Sequence, residues 1–223
     1  CTFAGTPQIS TVGLDESTVL VYDQELPNLL GAPAISYDFA ETKNTTYKYE
    51  IYNAADYGLD VFGEEDASVA INTALKEAGN NGGGIVYVPP GQYRLDKTLY
   101  VPEGVELRGA LDSYHANIWL PAGRDTLFYV YGGAGQTEGD GAVVLTKNAG
   151  VMGMSFYYPE QNVDGYKEGQ EYTPYPFTIT AKGPNCWSRF VVCANAYQMA
   201  DFGSAPDVSN YEIIGMRGQP LKV

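Results

Sequence analysis

The chain has 223 residues, 44% of them hydrophobic and 18% charged, the balance of a folded protein with a sizeable core rather than a disordered segment. A net charge of −14 argues against nucleic acid and anionic membrane surfaces as partners, because both demand basic patches. No apolar run approaches the ~20 residues of a membrane-spanning helix, and 26 glycines, 13 prolines and 19 tyrosines predict many short strands joined by turns.

Cys1 reads either as the acylated first residue of a bacterial lipoprotein or as an arbitrary start, and the following "TFAGTPQISTVGL" lacks the Ser/Gly-rich spacer expected after an anchor. Residues 1–50 read as an N-terminal extension: "STVLVYDQ" has strand character, and the rest is broken by Pro27, Gly31 and Pro33. Asn44, in "NTT", has the form of a glycosylation acceptor. From residue 51 the pattern changes. Ala67, Ala70, Ile71, Ala74, Leu75 and Ala78 recur at helical spacing. Glu64, Glu65 and Asp66 suit the start of that helix, with Asp66 as cap, and Gly79 is expected to end it in the left-handed conformation.

Beyond the helix, turns and short strands alternate. "IVYVPPG", "TLYVPEG", "VELRGA" and "NIWLPAG" are brief alternations closed by Pro or Gly. Four turn-then-strand units, "PEGVELRG", "NAGVMGMSF", "PNCWSRFVV" and "VSNYEIIGM", have strands starting near Val105, Val151, Trp187 and Tyr211, at intervals of 46, 36 and 24 residues. Taking the first as two units of 23 and the second as one unit plus the insertion "NVDGYKEGQEYTPY" gives a period in the low twenties. Insertions at one phase of such a period predict a parallel β-solenoid. The strand-rich segment would then run from 51 to 223, with the helix covering its first coil and the Asn80 to Gly84 cluster turning the chain into it. The sequence stops at "MRGQPLKV", part-way through a coil, which predicts further coils in a longer protein. Cys186 and Cys193, seven apart in apolar context, read as buried thiols, with a disulfide between them as the alternative.

The run "DYGLDVFGEEDASVAINTALKEAGNNGGGIVYVPPGQYRLDKTLYVPEGVELRGA" resembles the N-terminal module of the pectate-lyase-like superfamily, found in glycoside hydrolase family 28-related, rhamnogalacturonase- and epimerase-like proteins and in phage tailspikes. The matching pieces are Asp56-Tyr57-Gly58, Gly82 to Val88, Pro90-Gly91-Gln92-Tyr93 and Val105 to Gly109; "FGEEDAS" departs from the usual "GDGxxDD". "FYYPEQ", "PYPFTI" and "NAYQMADFG" are similar to a bacterial subgroup. The resemblance implies an all-β, right-handed, single-stranded parallel β-helix with an N-terminal capping α-helix, acting on or binding an extracellular polysaccharide as a hydrolase or lyase. The alternative it leaves open is a non-catalytic glycan-binding or tailspike-like structural module. It implies an extracellular or cell-surface location and leaves oligomeric state undetermined.

The family 28 motifs Asn-Thr-Asp, Asp-Asp and Gly-His-Gly do not occur in this sequence, nor does the Arg-rich strand of the lyases. Individual acids remain. Glu160 follows a strand in a Tyr- and Pro-rich context and Asp201 follows "NAYQMA", so on adjacent coils they could face one sugar; the competing reading has each accepting N–H bonds in a turn. His115, the single histidine, reads as solvated or structural. Substrate-binding candidates are the aromatics Trp119, Tyr158, Tyr175 and Tyr197 with Gln161 and Arg217, since sugar C–H faces stack on aromatic rings, although such rings also fill cores. Arg108, Arg189 and Arg217 either form an anionic-sugar track or pair with neighbouring carboxylates. No metal ligand is assigned. Ca²⁺ is the one cofactor that the acidic composition could hold, and the loop "GGAGQTEGDG", a surface excursion with Glu138 and Asp140, is its weak candidate.

Overall fold

A computed structural model describes residues 50–60, 63–111, 125–161, 169 and 171–218. Its one α-helix among these, α1 (Ser68–Asn80), buries Ala70, Ile71, Ala74, Leu75 and Ala78, the face that the spacing predicted. Asp66 accepts hydrogen bonds from the Ser68 N–H and hydroxyl. Burial raises its carboxyl pKa, but these bonds and one from the Asp96 N–H outweigh that and hold it below the usual range. The helix end differs from expectation. Gly79 stays helical, and its small size serves packing, since a Cβ there would lie 2.7 Å from Pro102 Cγ. The left-handed work falls to Gly82, Gly83 and Gly84, with φ of 89°, 115° and 142°. A Cβ on Gly83 would meet the Gly104 carbonyl oxygen at 2.5 Å, and one on Gly84 the Glu50 oxygen at 2.7 Å. The triplet therefore threads a gap only backbone can occupy.

The strands are β1 (Ile51–Asn53), β2 (Gly84–Tyr87), β3 (Gly91–Leu95), β4 (Leu99–Val101), β5 (Val105–Arg108), β6 (Thr126–Val130), β7 (Val143–Leu145), β8 (Gly150–Tyr157), β9 (Phe177–Ala181), β10 (Trp187–Cys193), β11 (Gln198–Asp201), β12 (Glu212–Ile214) and β13 (Arg217–Gly218). Every pairing between them is parallel. One nine-stranded sheet runs β1-β2-β5-β8-β10-β12, with β13 on β10 and with β3 and β6 joined through β8; a four-stranded sheet runs β11-β9-β7-β4. The repeat units anticipated in the sequence thus lie side by side as β5, β8, β10 and β12. One inference about their spacing is corrected: Glu106 pairs directly with Gly150, so the long first interval is a single step lengthened through β6 and β7, not two units.

Two positions explain how β8 serves two neighbours. Its first residues pair with β5 and its last with β6. Between them Gly153 takes φ 71°, and in the adjacent strand Phe190 takes φ 52°, so both strands bend at the same level. Inward-facing residues pack in register: Tyr93 beside Phe128, Phe128 beside Phe156, and Phe156 beside Cys193, all four fully buried. Ring centroids in this file are 5.9 and 5.5 Å apart. The neighbouring file Val86–Leu107–Val151 continues through Ser188, whose buried hydroxyl has no hydrogen-bond partner, to Ile213. Cys186 and Cys193 are free and buried, so no disulfide joins them.

The helix does more than cover apolar surface. Asn72 donates to the Thr98 carbonyl and accepts from the Tyr100 N–H, at 2.8 and 3.0 Å, pairing the edge of β4 as another strand would. The Ala67 N–H likewise donates to Arg94 O at 2.9 Å, closing the edge of β3. These bonds occupy backbone groups that would otherwise invite a foreign strand. No helix among the described residues is long and apolar enough to cross a membrane.

Candidate functional site

Long connections leave the sheets at one place: residues 131–142 join β6 to β7, and residues 158–176 join β8 to β9. Hydrogen bonds tie them together. Gly135 N–H donates to Pro174 O at 2.9 Å, and Gln198 Nε2 donates to both Thr137 O and Tyr175 O at 3.0 Å. Asn195, buried, accepts from Tyr158 N–H and donates to Tyr158 O, extending the pairing of β8 past its last residue. The connection at 131–142, expected as a surface excursion, is anchored through Gly135 and Thr137.

Four of the predicted residues gather here. The rings of Tyr158 and Tyr175 meet edge to face at 4.6 Å, and the Tyr175 hydroxyl donates to Glu160 Oε2 at 3.3 Å. Gln161 staples the loop by donating to Thr173 O and accepting from Thr173 N–H. Glu160 is exposed, whereas Tyr158 and Tyr175 are each 1% exposed and Gln161 5%. The two rings therefore belong to the core and offer no face to a sugar, and both amide groups of Gln161 are engaged within the loop. The Tyr158 hydroxyl is shared with Thr178, and burial pushes its pKa far up. Burial, then the Glu160 carboxylate, raise Tyr175 as well, so its phenol keeps its proton at neutral pH.

Asp201 is placed elsewhere, at the end of β11 in the four-stranded sheet, where Oδ1 accepts from the Gly203 and Ser204 N–H groups at 3.0 and 2.9 Å. Burial opposes ionisation there, but those bonds prevail and lower its pKa. This is the turn-accepting arrangement. Tyr197 is partly buried against the core, and Arg217 is exposed on β13. Trp119 and His115 lie outside the described residues.

The arginines divide. Arg108 and Arg189 are each in register with Met152, and each holds a carboxylate, Glu106 and Glu212 respectively. Arg217 pairs with Val192 in a different file. Glu106, 2% exposed, also accepts from Trp187 Nε1 at 2.8 Å. The indole reaches it by lying across Gly150, where a Cβ would be 1.9 Å from the ring.

Three further groups have partners remote along the chain, which the sequence reading did not connect. Asp125 is 5% exposed, accepts from the Ser155 hydroxyl at 3.4 Å, and is raised by burial. Tyr129 and Tyr157 stand edge to face at 6.0 Å on the outer side of β6 and β8. Asp140 receives the Tyr100 hydroxyl at 3.0 Å and the Lys182 ammonium. With both its oxygens engaged, Asp140 does not fit the Ca²⁺ reading of its loop, and among the described residues no three His, Cys, Asp or Glu side chains converge as metal ligands.

Residues 51–151 match the family model described as rhamnogalacturonase A/epimerase, pectate lyase-like. Over that segment, which is less than half of its length, the chain is similar to the pectate-lyase-like superfamily. Mannuronan C5-epimerase AlgE3 of Azotobacter vinelandii is 34% identical over 87 residues, which are 34% of this chain and 5% of that protein. Mannuronan C5-epimerase AlgE6 of the same organism is 41% identical over 66 residues, 26% of this chain and 8% of the other. The chain thus spans only a small part of the length of these relatives. Among solved structures, PfbA, a surface adhesin of Streptococcus pneumoniae, superimposes with a TM-score of 0.50 at 16% identity, over 76% of this chain and 39% of that one. That likeness concerns fold alone.

Proposed function

We propose that residues 51–223 form coils of a right-handed parallel β-helix, preceded by an extension at 1–50, and that the protein acts on an extracellular polysaccharide as a hydrolase or lyase. The observation carrying this reading is the family match over residues 51–151, which falls on the parallel ladder β1-β2-β5-β8. The mannuronan epimerases similar to this segment act, by their names, on a polymeric sugar. In this reading Glu160 is the acid–base carboxylate and Tyr175 the phenol that holds a proton against it. Asp201 keeps its turn, while Arg217, exposed on β13, and Tyr197 remain the proposed glycan contacts. The carboxylate–phenol pair suits proton transfer at a sugar carbon or glycosidic oxygen: the phenol stays protonated, and the carboxylate faces solvent.

The test is incubation of the protein with alginate, polygalacturonate and neutral glucans, following unsaturated-uronate absorbance and reducing ends. New absorbance identifies elimination; reducing ends without it identify hydrolysis; either is expected to be lost in Glu160→Gln. Silence on every polymer with binding retained overturns catalysis in favour of a glycan-binding module. Silence with no binding overturns the polysaccharide reading.

A further inference from the structure

Asn81 and Gly82 stand where α1 hands over to the glycine triplet before β2. An asparagine followed by glycine is chemically labile, because no Cβ on the glycine shields its nitrogen from the side-chain amide carbon. Deamidation forms a bond from Gly82 N to Asn81 Cγ and breaks the bond from Cγ to Nδ2. The Gly82 amide proton leaves with Nδ2 as ammonia, and water then opens the cyclic imide at either carbonyl. The product at position 81 is an aspartate, or an isoaspartate whose Cβ has entered the main chain. Asn81 is exposed, so water and base reach it.

The junction holds the reacting atoms apart. At Asn81 ψ is 3°, which eclipses the Gly82 nitrogen with the residue's own backbone nitrogen, whereas ring closure needs it eclipsed with Cβ. The Gly82 N–H donates to Gly79 O at 3.1 Å, so the nucleophile keeps its proton in a hydrogen bond. Asn81 N–H donates to Glu77 O at 3.0 Å, and Nδ2 donates to the Tyr52 hydroxyl at 3.0 Å, fixing backbone and side chain together. Attack therefore requires the end of α1 to open.

The product fits the closed junction poorly. The Tyr52 hydroxyl has one proton, which it gives to the Glu50 carboxylate while accepting from Asn81. A carboxylate at 81 replaces that donor with a second acceptor. Glu77, one turn earlier on α1, adds a like charge. An isoaspartate also lengthens the backbone just before Gly83 and Gly84, which have no room for a Cβ beside Gly104 O and Glu50 O. Those two carbonyls accept from the Gly84 and Ile85 N–H groups at 3.0 and 2.8 Å, bonds that set β2 beside β5 and β1.

We propose that Asn81 is a deamidation site gated by the fold: the closed junction between α1 and β2 holds the reaction off, and once it occurs the added charge loosens that junction. The inference stands apart from the polysaccharide reading. Peptide mass spectrometry of the full chain, kept in mildly alkaline buffer either folded or in urea, tests the gate. Ammonia loss at Asn81 is expected to be slower by about tenfold or more in the folded protein, because its rate is the unfolded rate scaled by the fraction of time the junction is open. Equal rates folded and unfolded, or no loss at Asn81 in either, overturn the site. Asn81→Asp against Asn81→Ala tests the consequence, since both lose the amide and only one adds charge. Asn81→Asp is expected to melt lower than Asn81→Ala at neutral pH and to exchange its Gly84 and Ile85 amide hydrogens faster. A Tm at or above that of Asn81→Ala, or unchanged exchange of those amides, overturns the loosening.

Discussion

The outer faces of the two sheets carry comparable files of residues put to opposite use. On the nine-stranded sheet, Glu106, Gly150 and Trp187 stand in register, and the indole folds across the glycine to donate to the glutamate. On the four-stranded sheet, Tyr100, Val144, Thr180 and Asp201 stand in register, and Tyr100 remains half exposed. Both begin as outward positions of parallel strands. The first is closed by a side chain large enough to bridge its neighbours, so its polar groups are satisfied internally and it serves stability. The second is flanked by a glycine-rich connection, and its polar groups stay near water. Outward position in a strand therefore does not by itself make a binding face; what the neighbouring strands place there decides.

The strongest way to break this contrast is at Trp187. Trp187→Ala is expected to cost about 3–5 kcal/mol, as for other large buried aromatics. Gly150→Ala should approach that loss by driving the indole off Glu106. Urea unfolding measures both, and a cost below ~1 kcal/mol for either would show that the file is not closed as described. Next comes Asn195→Ala, which strips partners from the buried Tyr158 N–H and carbonyl and is expected to cost about 2 kcal/mol. Its effect on turnover should follow stability alone, because Asn195 supports the corner without facing solvent.

Asp125 predicts the opposite sign. Burial raises its pKa in the folded state, so the stability linked to its protonated form is fully present below the unfolded pKa and is lost as pH rises through the folded one. Asp125→Asn is therefore expected to raise the Tm at pH 7, with the difference closing once pH falls below the ordinary carboxylate range. A Tm unchanged at pH 7 would contradict the burial. Asp66 works the other way: its contribution is present above the unfolded pKa and lost as pH falls through the depressed folded value, so Asp66→Asn should cost most at neutral pH. The smallest effect concerns reactivity. Burial pushes the Cys193 thiol up to about 12 and raises Cys186, so neither should react with a thiol reagent until the protein unfolds.

Much of the scaffold was legible because it depends on local pattern. The helical spacing of Ala70, Ile71, Ala74, Leu75 and Ala78, the glycine cluster before β2, and the strand starts of β5, β8, β10 and β12 follow from periodicity and turn chemistry, which neighbouring residues alone set. The left-handed turn after the helix was placed three residues early, at Gly79 instead of Gly82, for a tertiary reason: Gly79 is small to admit Pro102, which follows β4 and packs on the helix. The candidate site was less legible. Tyr158 and Tyr175 look alike in sequence whether they stack on sugar or fill a core, and only the approach of Thr178, Asn195 and Gln198 decides for the core. Asp140 reads as a loop acid until Lys182 and Tyr100, distant along the chain, take its oxygens. The amino-acid sequence thus determined where strands, turns and the helix fall, because those rest on interactions among near neighbours. Tertiary structure alone decided which outward residues are sealed and which stay open, because parallel pairing across offsets of 21 to 44 residues, such as Gly84 on Val105 and Glu106 on Gly150, sets side chains together that no local pattern connects.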